Sequence, residues 1–348
     1  MTAGVGLPFR DIVTPQELTW DALAGRTLAV DAYNAIYQFL ATIRQADGRP
    51  FSDPNGAVTS HLMGVFYRTT SLLAQGVLPV WVFDGRPPEL KAGTLRARFA
   101  AKEKAETQWK EALAAGDLET AKRKAAATSR LTRPMAEEAK ELLAALGVPT
   151  LQAPSEGEAQ ASVMAARGQV WAAASEDYDT LLFGAPRLVR GLAARGRRGT
   201  TTNAQVIDRT ALLRHLGLSD DELILVGLLV GTDFNEGAKG YGPKRALALA
   251  QQHLGWDPTL VKAGLDPLEM APVAELFRHP TVIDTAVPTF GPVDEAAVDR
   301  ILVEGHGFAP ERVRAAVGRA RRRPPPSPSG PDLRGHQTLL ETFQGGGG

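Results

Sequence analysis

Four aspartates sit where apolar runs end, and that placement is the strongest chemical signal in the chain. Asp31 follows Thr27-Leu28-Ala29-Val30, Asp84 follows Val77-Leu78-Pro79-Val80-Trp81-Val82-Phe83, and Asp177 and Asp179 lie just beyond the run 169–174. A carboxylate at an apolar strand end is costly unless it is paired or bound to a metal. Each has a structural explanation too, because an Asp after a strand often caps the next helix. Among the four, only Asp84 has a basic residue close in sequence, Arg86, so together they point to a cation site. Glu156 and Glu158 stand in Pro154-Ser155-Glu156-Gly157-Glu158. Ser155 with Glu158 has the spacing of a capping box, which accounts for Glu158 and leaves Glu156 unexplained. Asp233, in Leu229-Val230-Gly231-Thr232-Asp233, reads as a turn residue.

Magnesium suits such acids, because it binds through few carboxylates, keeps several waters and takes substrate phosphate oxygens as its remaining ligands. Two such ions about 4 Å apart activate water and stabilise the leaving oxygen in phosphodiester hydrolysis. The chain has no cysteine, which excludes disulfides and thiolate metal sites. Its six histidines are scattered without metal-ligand spacing, which argues against zinc.

The elements that must position these acids are strands alternating with helices. Helical patterns cover 33–44 and 60–74 and begin again near Ser155, between the three apolar runs. This order predicts an α/β fold with a mostly parallel central sheet and helices on both faces. In such a sheet ligands bind beyond the carboxyl ends of the strands, which would bring the four aspartates to one edge. Between Leu90 and Leu131 the chain turns to Lys, Arg, Glu and Ala without proline, the composition of one or two long exposed helices. Helical patterns return over 222–230, 244–252 and 310–322, and a proline-rich stretch at 324–331 reads as an extended linker.

Composition sets the remaining bounds. With 348 residues, 44% hydrophobic and 22% charged, the chain has the make-up of a globular enzyme. It lacks an apolar run of membrane-spanning length and an N-terminal basic–apolar leader, so secretion and membrane insertion are not expected. The 39 basic and 39 acidic residues cancel, whereas a nucleic-acid binder is expected to be basic. The charges are unevenly distributed, however, with basic tracts at 96–104, 122–124, 195–198 and 319–323.

The motifs in order resemble one family. Asp31-Ala32-Tyr33-Asn34-Ala35-Ile36-Tyr37, the stretch 59–68 and Val82-Phe83-Asp84-Gly85-Arg86 look like the N-terminal region of flap endonucleases, within the xeroderma-pigmentosum-G-like structure-specific 5′ nucleases. Ala153-Pro154-Ser155-Glu156-Gly157-Glu158, Ser175-Glu176-Asp177-Tyr178-Asp179 and Gly231-Thr232-Asp233 look like the internal region, and the absence of long insertions resembles archaeal members. The resemblance implies a PIN-like nuclease fold in which Asp31, Asp84, Glu156, Glu158, Asp177, Asp179 and Asp233 surround two Mg2+ ions, for which Mn2+ can substitute. It implies that Lys91 and Arg98 sit on a helical arch and contact the scissile phosphate. It also implies that Tyr37 stacks on a displaced base, and that Arg44 and Arg68 contact DNA or serve as structural supports. Gly240-Tyr241-Gly242-Pro243-Lys244-Arg245 is similar to the family's helical hairpin, with Gly240, Gly242, Lys244 and Arg245 holding duplex DNA beside a K+ ion.

Implied boundaries are a nuclease domain over 1–323, a linker over 324–336 and a clamp-binding peptide over 337–344. The domain divides at 1–90, 91–133 for the arch, 134–255 with the hairpin, and 256–323 for C-terminal helices. Gln337, Leu340 and Phe343 match the pattern of a peptide that docks on a sliding clamp (PCNA), although Gln344 stands where a second aromatic is common. By register the family's N-terminal glycine corresponds to Gly6, with Val5 as an alternative start. The expected protein is a monomeric, Mg-dependent 5′ flap endonuclease of the archaeal cytoplasm and nucleoid, with exonuclease activity, acting in Okazaki-fragment maturation and repair. A 5′ exonuclease or a bubble- or junction-cutting relative is the alternative. A non-catalytic DNA-binding clamp adaptor is a third reading, against which the seven acids argue.

Overall fold

The run at Thr27 forms β2 (Thr27–Asp31) because a parallel strand covered on both faces must be apolar throughout. In the computed structural model, which describes residues 7–192, 201–284, 286 and 289–321, the other strands are β1 (Gln16–Thr19), β3 (Leu78–Phe83), β4 (Thr150–Gln152), β5 (Ala172–Ala174), β6 (Arg187–Arg190) and β7 (Thr201–Asp208). Their order is β1-β7-β6-β5-β2-β3-β4. Strands β6, β5, β2, β3 and β4 run parallel, and β7 and β1 close one edge antiparallel. The mostly parallel sheet expected from sequence is therefore present. Gly6, the basic tract 195–198, the linker 324–336 and Gln337, Leu340 and Phe343 lie outside the described residues.

Period-two alternation divides the apolar runs between two layers. Leu28, Val30, Trp81 and Phe83 face a cluster with Ile36, Phe39, Leu62 and Phe66 from helices Ala32–Thr42 and Ser60–Ala74. Ala29, Val80, Val82 and Ala173 face the other way, against Ala161, Met164 and Ala165 of helix Gly157–Ala166. A third cluster gathers helices Asp220–Val230, Pro243–Ala250, Trp256–Ala263 and Pro267–Arg278 around Phe183, Phe234 and Phe277.

The segment rich in Lys, Glu and Ala folds as helices Ala92–Ala114 and Leu118–Ala125, joined at a seam whose buried side chains are Ala105, Ala112, Ala121 and Ala125. Asp117 caps the second helix by accepting from the Thr120 amide. His306 bridges Asp53 and Glu138 through its two ring nitrogens, and His61 reaches the same Glu138. That chain of bonds ties the C-terminal segment to the loop before helix 60–74. No helix among the described residues is long and apolar enough to cross a membrane.

Helices 32–42 and 60–74 cross at Gly64, where a Cβ would lie 2.1 Å from Phe39 Cγ. Gly64→Ala should destabilise the protein by about 1–3 kcal/mol through overpacking. Calorimetric unfolding would register a lower Tm, and an unchanged Tm would mean that the crossing has slack.

Candidate metal centre

The acids lie at one end of the sheet, as parallel pairing requires. Asp31 is the last residue of β2; one oxygen accepts from the Asn34 amide at 3.0 Å and the other from Ser175 Oγ at 3.1 Å. It is thus both the cap of helix 32–42 and a member of the acid group. Asp84, just past β3, accepts from the Gly157 amide at 2.8 Å rather than pairing with Arg86. Asp177 accepts from the Leu7 amide at 3.3 Å and from the Asp179 amide at 3.1 Å. The chain immediately after Gly6 therefore reaches the site. Asp233 lies in a turn closed by the Thr232–Asn235 bridge, so its turn reading also holds.

Glu158 corrects one expectation. Glu156, not Ser155, is the N-cap of helix 157–166, no side chain caps it, and no capping box forms. The backbone carbonyls of Pro154 and Ser155 accept from the Arg86 and Gly85 amides, which fixes the turn in another conformation. Glu158 is instead buried, facing Asp177, Asp179 and Asp31.

Burial makes this group electrostatically unstable on its own. Desolvation, with the charges of Asp31 and Glu156 next, raises the Asp84 pKa to about 8. Desolvation also raises Asp31, to about 6, and pushes Asp177 above its ordinary value. Glu158 and Asp179 are raised well above theirs, first by desolvation and then by neighbouring carboxylates. Asp84 is repelled by Asp31 and Glu156, and Asp179 by Asp177 and Asp233, while Glu158 and the repulsion between Asp31 and Asp177 join the two groups. Asp179 is fully buried and neither of its oxygens has a hydrogen-bond partner; the Asp233 amide lies near without closing a bond.

Two cations enter this group, Lys91 from the turn that caps helix 92–114 and Arg98 from within that helix. Lys91, only 8% exposed, donates to Glu156 and lies 3.2 Å from Asp233 Oδ2. Arg98 donates to the other Asp233 oxygen at 2.5 Å, and Thr94 Oγ1 donates to the Asp233 carbonyl at 2.7 Å. Burial works against the Lys91 ammonium, but the charges of Glu156, Glu158 and Asp233 outweigh it and hold its pKa up. Among the described residues no three acids converge tightly enough to ligate a metal by themselves. Direct convergence of three carboxylates is not what Mg2+ needs, since it retains waters and borrows phosphate oxygens. An all-oxygen donor set with an orphaned, fully buried carboxylate fits a hard divalent cation.

The remaining predicted residues separate. Tyr37 is half-buried, and Lys102 Nζ stands 4.3 Å from its ring centroid. Arg44 is engaged by the chain itself. Its guanidinium donates to the Leu40 and Gly48 carbonyls and to Ser129 Oγ. Arg68 is half-buried in helix 60–74. Gly240 has φ +81, a conformation that favours glycine, and Gly242 is the N-cap of helix 243–250, with Pro243 in its first turn. Lys244 and Arg245 are exposed there, Arg245 lying 4.4 Å over the Tyr241 ring.

Comparison with known proteins places the chain in a family. The XPG N-terminal domain model matches residues 9–105 and the XPG I-region model matches 147–233. The flap endonuclease 1 of Aeropyrum pernix is 45% identical over 360 aligned positions, covering 98% of this chain and all of that protein. The chain belongs to the flap endonuclease family. The solved flap endonuclease-1 of Methanococcus jannaschii superposes with a TM-score of 0.73 at 39% identity, over 91% of this chain and 98% of that one. The catalytic core of Rad2 in complex with DNA substrate shares the fold, with a TM-score of 0.69 at 24% identity over 91% of this chain and all of that one.

Sequence reasoning missed the residues that hold the acids in place. Ser175 donates to Asp31 and accepts from the Asp177 amide, linking two strand ends. Thr94 binds the Asp233 carbonyl, and its place one turn after Lys91 was the available signal. Gln152 donates to the Asp84 carbonyl at 2.5 Å from β4.

The raised carboxylates predict a pH dependence. Asp31 and Asp84 titrate from 3.8 to about 6 and about 8 on folding, so the folded state binds more protons than the unfolded state between about pH 4 and 8. Stability of the chelator-treated protein should therefore fall as pH rises through that window, and Asp84→Asn should flatten the fall. Thermal melts at pH 5, 6.5 and 8 in chelator read this directly; a Tm that holds level or rises would contradict the desolvated acid group.

Proposed function

We propose that the chain is a divalent-metal-dependent, structure-specific 5′ flap endonuclease with 5′–3′ exonuclease activity, acting at junctions of single-stranded and duplex DNA in Okazaki-fragment maturation and repair. The observation that carries this reading is the gathering of seven acids at the carboxyl ends of parallel strands, with Asp179 buried and unpartnered. Asp31, Asp84 and Glu156 would hold one Mg2+ and Asp177, Asp179 and Asp233 a second, with Glu158 shared; Mn2+ can substitute. When bound, these cations supply Lewis-acid stabilisation of the phosphate and lower the pKa of the attacking water.

The chain's own residues do the rest. Ser175 and the Gly157 amide orient Asp31 and Asp84. Lys91 and Arg98 stand at the acids and would neutralise charge developing on the scissile phosphate. Tyr37 offers a ring face to a displaced base, an interaction tolerant of sequence. Gly240, Gly242, Lys244 and Arg245 present backbone amides and two cations to duplex phosphates, beside a K+ ion, so selection would rest on DNA shape rather than base edges. Arg68 serves as a DNA contact or support on helix 60–74. Gln337, Leu340 and Phe343 would tether the monomer to a sliding clamp (PCNA).

Cleavage of a double-flap DNA with Mg2+ tests the enzyme reading. Asp177→Ala combined with Asp179→Ala should lose at least about 10³-fold in rate while retaining binding. If wild type and variant both bind and neither cuts, the chain is an adaptor; if wild type cuts only blunt ends or bubbles, the relative's activity replaces flap cleavage. Separately, Leu340→Ala with Phe343→Ala should abolish capture of the protein on an immobilised archaeal clamp. Undiminished capture would remove the tether from the proposal.

A further inference from the structure

The helix that carries Lys91 and Arg98 does more than present them. Lys91, Thr94, Arg98 and Lys102 recur at intervals of three and four residues along one face of helix 92–114 and the turn before it. Each is engaged with the functional surface. Lys91 joins Glu156 to Asp233, Thr94 and Arg98 hold Asp233, and Lys102 covers the ring of Tyr37. One helical face thus takes the carboxylates proposed for the cations together with the ring proposed for a base.

We propose that this face is a built-in counter-ion: Lys91 and Arg98 compete with divalent metal for Glu156 and Asp233, so that loading metal undocks the helix. The inference rests on the proposed two-metal site. Physically it follows from like charges seeking the same partners. The Lys91 ammonium is almost buried, and its stabilisation comes from Glu156, Glu158 and Asp233. A doubly charged cation entering among those acids supplies the same compensation and repels the ammonium. Loss of the three ion pairs leaves the Thr94 hydroxyl as the remaining side-chain bond from this helix to Asp233, an individually modest interaction. The same undocking withdraws Lys102 from Tyr37. Metal loading and exposure of the stacking surface are then one event, and by linkage whatever holds the helix down weakens metal binding.

The test uses the full chain without DNA, with Mg2+ or Mn2+ alone as the probe. In wild type, hydrogen exchange of backbone amides over 89–102 should rise on adding Mg2+. Lys91→Met, which removes the competing charge but keeps the stem, should tighten the Mn2+ dissociation constant by about tenfold, the effect of one ordinary charge-assisted bond. Thr94→Val leaves both cations and all acids in place, and should tighten it in the same direction by a smaller factor. That second variant keeps the test decisive if Lys91→Met fails to fold. Protection of 89–102 by Mg2+, or metal binding unchanged or weakened in both variants, overturns the competition while leaving the metal site standing. Absence of any Mg2+ or Mn2+ uptake by wild type overturns the proposed function with it.

Discussion

Crowding carboxylates into a desolvated cleft is the constraint to which the rest of the molecule answers. Six of the seven acids are nearly inaccessible to water, and burial raises the proton affinity of Asp31, Asp84, Glu158, Asp177 and Asp179. Such a group persists only if positive charge or hydrogen-bond donors are fixed around it. The chain supplies donors from the amides of Leu7, Asn34, Gly157 and Asp179 and from the hydroxyl of Ser175. It supplies charge from Lys91 and Arg98. Asp179 receives neither a hydrogen bond nor a direct ion pair, and it is the position where an added cation gains most.

The scaffold explains how residues up to 202 positions apart in sequence, Asp31 and Asp233, come to share this cleft. Parallel pairing of β2 with β3 and β5 aligns three carboxyl ends without any specific side-chain match, because register alone puts Asp31 beside Val82 and Val30 beside Ala174. Helix 157–166 enters from the same end, its first amide fastened to Asp84. Asp233 arrives from outside the sheet, on a turn held by Asn235, whose side chain donates to the Leu228 carbonyl. The aromatic group Phe183, Phe234 and Phe277 anchors that turn to the C-terminal helices, with ring centroids 4.8–6.4 Å apart.

What was legible in the sequence follows this division. β2, β3 and β5 were readable because buried parallel strands must be continuously apolar, and the aspartates behind them inherited that clarity. Helix 60–74 was readable from its pattern alone. β1 and β6 were not, since β1 buries only Leu18 and β6 offers Leu188 and Val189 between arginines. Three-residue β4 is shorter than any run that periodicity can resolve. Glu158 was given to a capping box because local spacing carries no information about the distant loop at Gly85 that claims the Ser155 carbonyl. Spacing likewise leaves open whether Arg44 contacts DNA or supports the fold, because the Ser129 hydroxyl it binds is 85 residues away. Glu156, Glu158 and Asp233 became interpretable through family resemblance, which encodes the long-range contacts that spacing omits.

The composition of one short parallel strand has a consequence of its own. β5 is three alanines, and Ala173 shares a packed cluster with Ala161 and Ala165 of helix 157–166, which is capped by Glu156 and carries Glu158 in its first turn. Methyl groups are therefore the spacers between the layer bearing Asp177 and Asp179 and the layer bearing the two glutamates. The spacing between these aspartates and glutamates is set by methyl packing together with the Ser162 hydroxyl, which donates to the Glu158 and Thr180 carbonyls.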